Sequence, residues 1–181
     1  PRGLAFDHFG ELPFYVVFAV VCSIVGYVYV SVFYGLRNRV FRRLPLPRVA
    51  KPAIGGLMVG VIALWFPQIM AGGYGWIQEA LEGRMALTLL LVLCFAKILA
   101  TSCTISSGGS GGVFAPSLFI GAMLGGAYGT LCDRLFPDLI AHPEAFVLVG
   151  MGGFFAGVAR VPLTAMLMVC EMSGSYGLLV P

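Results

Sequence analysis

Ser106–Gly126 reads SSGGSGGVFAPSLFIGAMLGG, and seven of its twenty-one residues are glycine. A helix that begins inside a membrane leaves its first N–H groups without partners. In hydrocarbon each unsatisfied group costs several kcal/mol. Glycine removes side chains and leaves the backbone accessible. The positive end of the helix dipole points at the same place. A dehydrated anion meets both demands, because it accepts the N–H groups and answers the dipole. The stretch therefore predicts a helix starting near Val113, with Pro116 in its first turn, where a missing N–H is no loss. Ser106, Ser107 and Ser110 would add neutral donors, whereas fixed positive charge would hold an anion too tightly for fast turnover. On these residues alone a glycine hinge between packed helices stands as the other reading.

The rest of the chain says which solvent surrounds this stretch. It is 59% hydrophobic and 10% charged over 181 residues, against about 25% charged in soluble domains. That deficit predicts an integral membrane protein. Pro1–Glu11 is polar and short, unlike a signal peptide. The chain opens without Met and closes at Pro181 in an apolar run, which reads as a piece of a longer protein.

Net charge is +3, and six of the eleven basic residues are Arg37, Arg39, Arg42, Arg43, Arg48 and Lys51. Short basic loops face the cytoplasm, so this loop is expected there, with or without lipid headgroup contacts. No aromatic-interleaved basic surface accompanies it, which argues against nucleic acid as a partner. The five cysteines, Cys22, Cys94, Cys103, Cys132 and Cys170, form no CxxC pair and read as small packing residues. No metal site is expected.

Leu12–Leu36 is uncharged for 25 residues and long enough to cross a ~30 Å hydrocarbon core. Pro45, Pro47 and Pro52 then break the chain. Pro52–Phe66 is a second apolar segment in which Gly56 and Gly60 predict a close helix approach. Pro67–Gly83 is wetter, with a short helix expected at Trp76–Leu81. Met85–Ile105 is apolar except for Lys97, which calls for an acidic partner or interior burial. Gly111–Leu131 follows. Ala145–Ala159 is about 22 Å of helix and Val161–Cys170 about 15 Å, and neither spans alone. Short segments interrupted by Arg160 and Pro162 predict broken or re-entrant helices, buried in protein or lining a cavity. Residues 1–181 read as one all-α integral membrane domain of tilted, broken and re-entrant helices.

Gly111–Pro116, GGVFAP, resembles the GG[IV]FAP signature of the CLC family of chloride channels and chloride/proton exchangers. The similarity runs on through SLFIGAMLGGAYG and returns at Gly150–Gly157 (GMGGFFAG), Arg160–Thr164 (RVPLT) and Val169–Met172 (VCEM). An ordered set of this length is specific where a lone GxFxP would not be. The resemblance implies a membrane domain of two inverted repeats, of which this chain is the second, without the first repeat and the final helix. It implies a homodimer with one anion pathway per subunit. It places chloride on the amides of Val113, Phe114 and Ala115, with Gly112 completing the anion-binding set. Gly111 and Pro116 serve the helix start, and the Phe114 ring lines the pathway. Phe114 favours chloride over fluoride, because the fluoride-selective branch usually departs from this signature.

The gating glutamate, the proton-path glutamate and the pore tyrosine of the family fall outside these residues. Tyr176 lies ahead of the final helix and is rejected for the last role. Glu171 is read as a structural partner of Lys97 or Arg160, or as a helix-end residue near water. His8 and His142 read as surface residues, and Asp133, Asp138 and Glu144 carry no ligand spacing. GGSGG lacks the Lys-Ser/Thr ending of a P-loop. No nucleophile with an ordered base is visible, so no enzyme and no cofactor are expected. Chloride is the expected transported ligand, protons a candidate second, and the cell membrane the expected location. The rivals are a carrier for another small anion, one for an organic anion with Arg160 as clamp, and a non-conducting structural domain.

Overall fold

Long apolar runs bounded by glycine and proline become helices whose ends fall where those residues sit. The computed structural model describes residues 11–137, 140 and 142–174. In chain order they form α1 (Leu12–Gly35), α2 (Lys51–Trp65), α3 (Tyr74–Leu81), α4 (Leu87–Ser106), α5 (Phe114–Leu135), α6 (Ala145–Ala159) and α7 (Pro162–Ser173). No strand occurs among the described residues. Three helical stretches are long and apolar enough to cross a membrane: Leu12–Phe41, Leu87–Ser106 and Phe114–Leu135. α2, α6 and α7 are apolar but shorter, as the interrupted sequence predicts. α1 passes into a π-helical turn at Leu36–Phe41, so the helix runs beyond the apolar segment into the basic one. Proline stands in the first two positions of α1, α2 and α7, where its missing N–H breaks no bond.

α5 is the centre. Leu118, Phe119, Ile120, Ala122 and Met123 are fully enclosed. α6 lies antiparallel on it. A Cβ on Gly121 would strike the Gly150 carbonyl, one on Gly125 the Phe146 carbonyl, and one on Gly129 the Pro143 carbonyl. The glycines recur every fourth residue along α5, and Gly150 and Phe146 are likewise four apart on α6, with Pro143 just ahead of its start, so one face of each helix makes the contact. Small residues there let the backbones approach, which replaces the missing hydrophobic drive in lipid.

The close approach expected at Gly56 and Gly60 is not formed: a Cβ at either meets nothing within 4 Å. Their neighbour Gly55 is used instead, against Ser107 and the Cys103 carbonyl at the end of α4. The GxxxG spacing was legible, but which face of α2 meets a neighbour depends on the turns around it.

Cross-helix contacts fix which ends lie together. The Tyr128 hydroxyl donates to the Phe14 carbonyl at 3.0 Å, and Phe14 meets Phe136. Tyr15 stacks on Phe146. The start of α1, the end of α5 and the start of α6 therefore share one end. Ser106 Oγ donates to the Phe33 carbonyl at 3.0 Å, so the end of α4 and the end of α1 share the other.

Between α2 and α3 the helical backbone is broken at residues 66–73, apart from a short 3-10 turn at Pro67–Ile69. Lys97 closes the break. Its ammonium donates to the carbonyls of Ile69 at 2.5 Å and Ala71 at 2.8 Å, and stands 5.0 Å from the centre of the Phe119 ring. The expected interior burial holds, with Lys97 at 4% exposure. The expected acidic partner does not. No ion pair reaches Lys97 among the described residues, and Glu171 is exposed on α7. Two carbonyls freed by the helix break satisfy the ammonium, so it needs no carboxylate. Gly73, at φ +68, leaves no room for a Cβ beside Phe119. α3 begins at Tyr74, two residues before the expected Trp76.

Candidate functional site

The glycine stretch does two separate jobs. Gly108 (φ +88) and Gly109 end α4. The Gly108 N–H bonds the Ile105 carbonyl at 3.1 Å and the Gly109 N–H the Thr104 carbonyl at 3.1 Å. This is the paired closure in which the first residue past the helix takes a left-handed conformation, which favours glycine. A side chain on Gly109 would press on the Thr104 carbonyl.

The second pair lies at the start of α5. Gly111, Gly112 and Val113 are exposed, and a Cβ at Gly112 would meet nothing within 4 Å. Val113 is the N-cap, and no side chain caps the helix. The first backbone bond after the Gly109 closure is Ser117 N–H to the Val113 carbonyl, at 3.0 Å. The amides of Val113, Phe114 and Ala115 therefore have no backbone acceptor among the described residues, and Pro116 has no N–H to satisfy. Three N–H donors and the positive end of a helix dipole thus lie at an exposed, uncapped helix start. Helix starts of this kind are where small anions bind in proteins generally.

Phe114 is half-buried, and its ring meets Phe155 edge-on. That contact joins the GGVFAP turn to the GMGGFFAG helix. Phe155 was not singled out from the sequence. A signal was available in the glycine-flanked FF pair, but its rings could be assigned to the site only by the α5–α6 packing. Ser117 was likewise missed. It is fully buried, and its Oγ donates to the Val113 carbonyl at 2.7 Å, bracing the first turn.

The serines expected as anion donors divide. Ser106 and Ser107 are buried and spend their hydroxyls on the carbonyls of Phe33 and Thr104. They are structural, because a buried helix end must satisfy its own carbonyls first. Ser110 is exposed. Arg160 is exposed with φ +59, at the joint of α6 and α7. The five cysteines are buried. His142 is half-exposed and lies 3.1 Å from the Glu144 carboxylate. His8, Asp138 and Tyr176 lie outside the described residues. No group of three or more potential metal ligands occurs among the described residues.

Residues 5–181 match the family model described as voltage gated chloride channel. The chain is 37% identical over 128 residues to an H(+)/Cl(-) exchange transporter ClcA of Vibrio campbellii, covering 71% of this chain and 27% of that protein. It is 36% identical over 185 residues to chloride channel protein CLC-f of Arabidopsis thaliana, covering 94% of this chain and 24% of that one. It thus spans about a quarter of the length of these relatives. The crystal structure of a slow cyanobacterial Cl−/H+ antiporter superposes with a TM-score of 0.84 at 25% identity, covering 99% of this chain and 44% of that one. The chain is a multi-pass integral membrane protein and belongs to the voltage gated chloride channel family, the CLC proteins.

Proposed function

We propose that residues 1–181 form the second of two inverted repeats in a CLC protein that moves chloride across a membrane. Chloride sheds part of its water at the start of α5 and is held by the amides of Val113, Phe114 and Ala115. The observation that supports this reading is that these amides have no backbone acceptor among the described residues, beside an exposed Gly112 where a Cβ would meet nothing within 4 Å. Amides suit a transported ion better than a charged side chain, because they bind without trapping it. Pro116 ends the donor row, and the Phe114 ring shields one side. The other repeat completes the site, and two subunits form a homodimer with separate pathways. The basic loop after α1 faces the cytoplasm, and the cell membrane is the location. Transport rather than catalysis is the activity, with no cofactor. A site of three amides fits a monatomic anion better than an organic one, which would need a clamp such as Arg160.

The test is a paired flux measurement on the full-length protein in chloride-loaded liposomes, recording chloride efflux and external pH together. Chloride efflux that drives proton uptake against a gradient identifies an exchanger. Chloride efflux without proton movement identifies a channel. Absence of chloride flux in both conditions removes the reading.

A further inference from the structure

We propose that the basic turn after α1 is a docking surface for the headgroups of anionic phospholipids in the leaflet it adjoins. This rests on the membrane reading of the fold and not on the anion site.

Position is the first support. α1 carries no charge before Arg37. Its 24 residues rise about 36 Å, more than the ~30 Å hydrocarbon core. Arg37 and Arg39 therefore leave the bilayer at headgroup depth, on the π-helical turn.

The turn is also held in shape. Phe41 is buried, and Lys51 Nζ donates to the Phe41 carbonyl at 2.6 Å. That bond pins the two ends of the loop together. Pro45 and Pro47 restrict the backbone between them. Headgroups would meet a preformed surface, so little ordering entropy is lost on contact.

The charges on it are uncompensated. Arg37, Arg39, Arg42, Arg43 and Arg48 are exposed, and none makes an ion pair among the described residues. Arg42 has only a 3.4 Å bond to the Asn38 amide oxygen. The contrast is Arg84, between α3 and α4, which is held by Glu79 and Glu82. Interleaved with the arginines in sequence are exposed apolar side chains, Val49 at 89% and also Val40 and Leu46. Guanidinium groups pair with phosphate oxygens in a bidentate fork, while apolar side chains enter the acyl boundary. Water alone rewards the first group and not the second. A membrane interface rewards both.

A fluorophore on Val49→Cys reads the contact directly. The five native cysteines of this chain are buried, and accessible ones elsewhere in the full-length protein are removed. The labelled full-length protein goes into nanodiscs with brominated phosphatidylglycerol or brominated phosphatidylcholine titrated over the same range of mole fractions. Phosphatidylglycerol is expected to quench at severalfold lower mole fraction, with the preference narrowing as salt rises. Each basic residue near an anionic surface is worth about 1 kcal/mol, or about fivefold. Arg42→Gln, Arg43→Gln and Arg48→Gln together are therefore expected to bring the preference down to about one, and Arg48→Gln alone to reduce it by up to about fivefold. These side chains are exposed, so the variants should fold. Equal quenching by the two lipids overturns the proposal, as does a preference that survives the triple substitution. Cross-linking of Val49→Cys to polypeptide without quenching by either lipid also overturns it, since protein then covers the turn.

Discussion

The Phe114 ring stands edge-on to the Phe155 ring, with centroids 4.9 Å apart and planes at 79°. This contact couples the first turn of α5 to α6, and so the donor row of Val113, Phe114 and Ala115 to the glycine-packed pair of helices behind it. Edge-on pairs add about 0.5–1.5 kcal/mol beyond burial. A double-mutant cycle with Phe114→Leu and Phe155→Leu, read by thermal unfolding of the full-length protein, should show a coupling of that size. Additive losses would mean that the two rings act separately.

Removing one donor without touching a side chain tests the amides themselves. Replacing residue 114 by its α-hydroxy acid analogue turns the amide N–H into an ester oxygen. A bond to a charged acceptor is worth about 1.5–3 kcal/mol, so chloride affinity should fall by about tenfold or more. The same exchange at Leu124, inside α5, should leave the affinity unchanged. Equal effects at both positions would count against the amide site.

Glycine substitutions should separate packed from open faces. A methyl at Gly125 would enter the Phe146 carbonyl and main chain. Backbone cannot yield as a side chain tip can, so Gly125→Ala should cost about 3 kcal/mol or more and lower thermal stability sharply. Gly56→Ala meets nothing in this chain and should be tolerated in the same thermal unfolding assay.

Lys97→Met should destabilise the protein without any compensating effect from Glu171. It would strand the Ile69 and Ala71 carbonyls, for an expected loss of about 2 kcal/mol or more. Glu171→Gln should leave the unfolding temperature unchanged, because that side chain is exposed and does not meet Lys97. A matched loss from both substitutions would restore an ion pair between them.

The sequence by itself determined the solvent, the number of long spans and the place where a helix must start. Those follow from local chemistry: charge depletion, run length, and glycine and proline at helix ends. α6 was legible to the residue, since Glu144 and Arg160 bound its apolar run. The helix start on which the candidate site is proposed was legible too, because its glycines and proline lie in one stretch of sequence. Only the tertiary structure decided which side chains surround them. Gly121, Gly125 and Gly129 looked no more special than Gly56 and Gly60, yet the first set packs on α6 and the second stands open. Lys97 could have sought an acid; the break between α2 and α3 supplied two carbonyls instead. Ser106 and Ser107 could have faced an anion; the end of α4 claimed them. In each case the residue's chemistry was readable; for Gly125, Lys97 and Ser106 the partner came from a part of the chain distant in sequence, brought close by helix packing, and for Ser107 it was Thr104, at the end of its own helix.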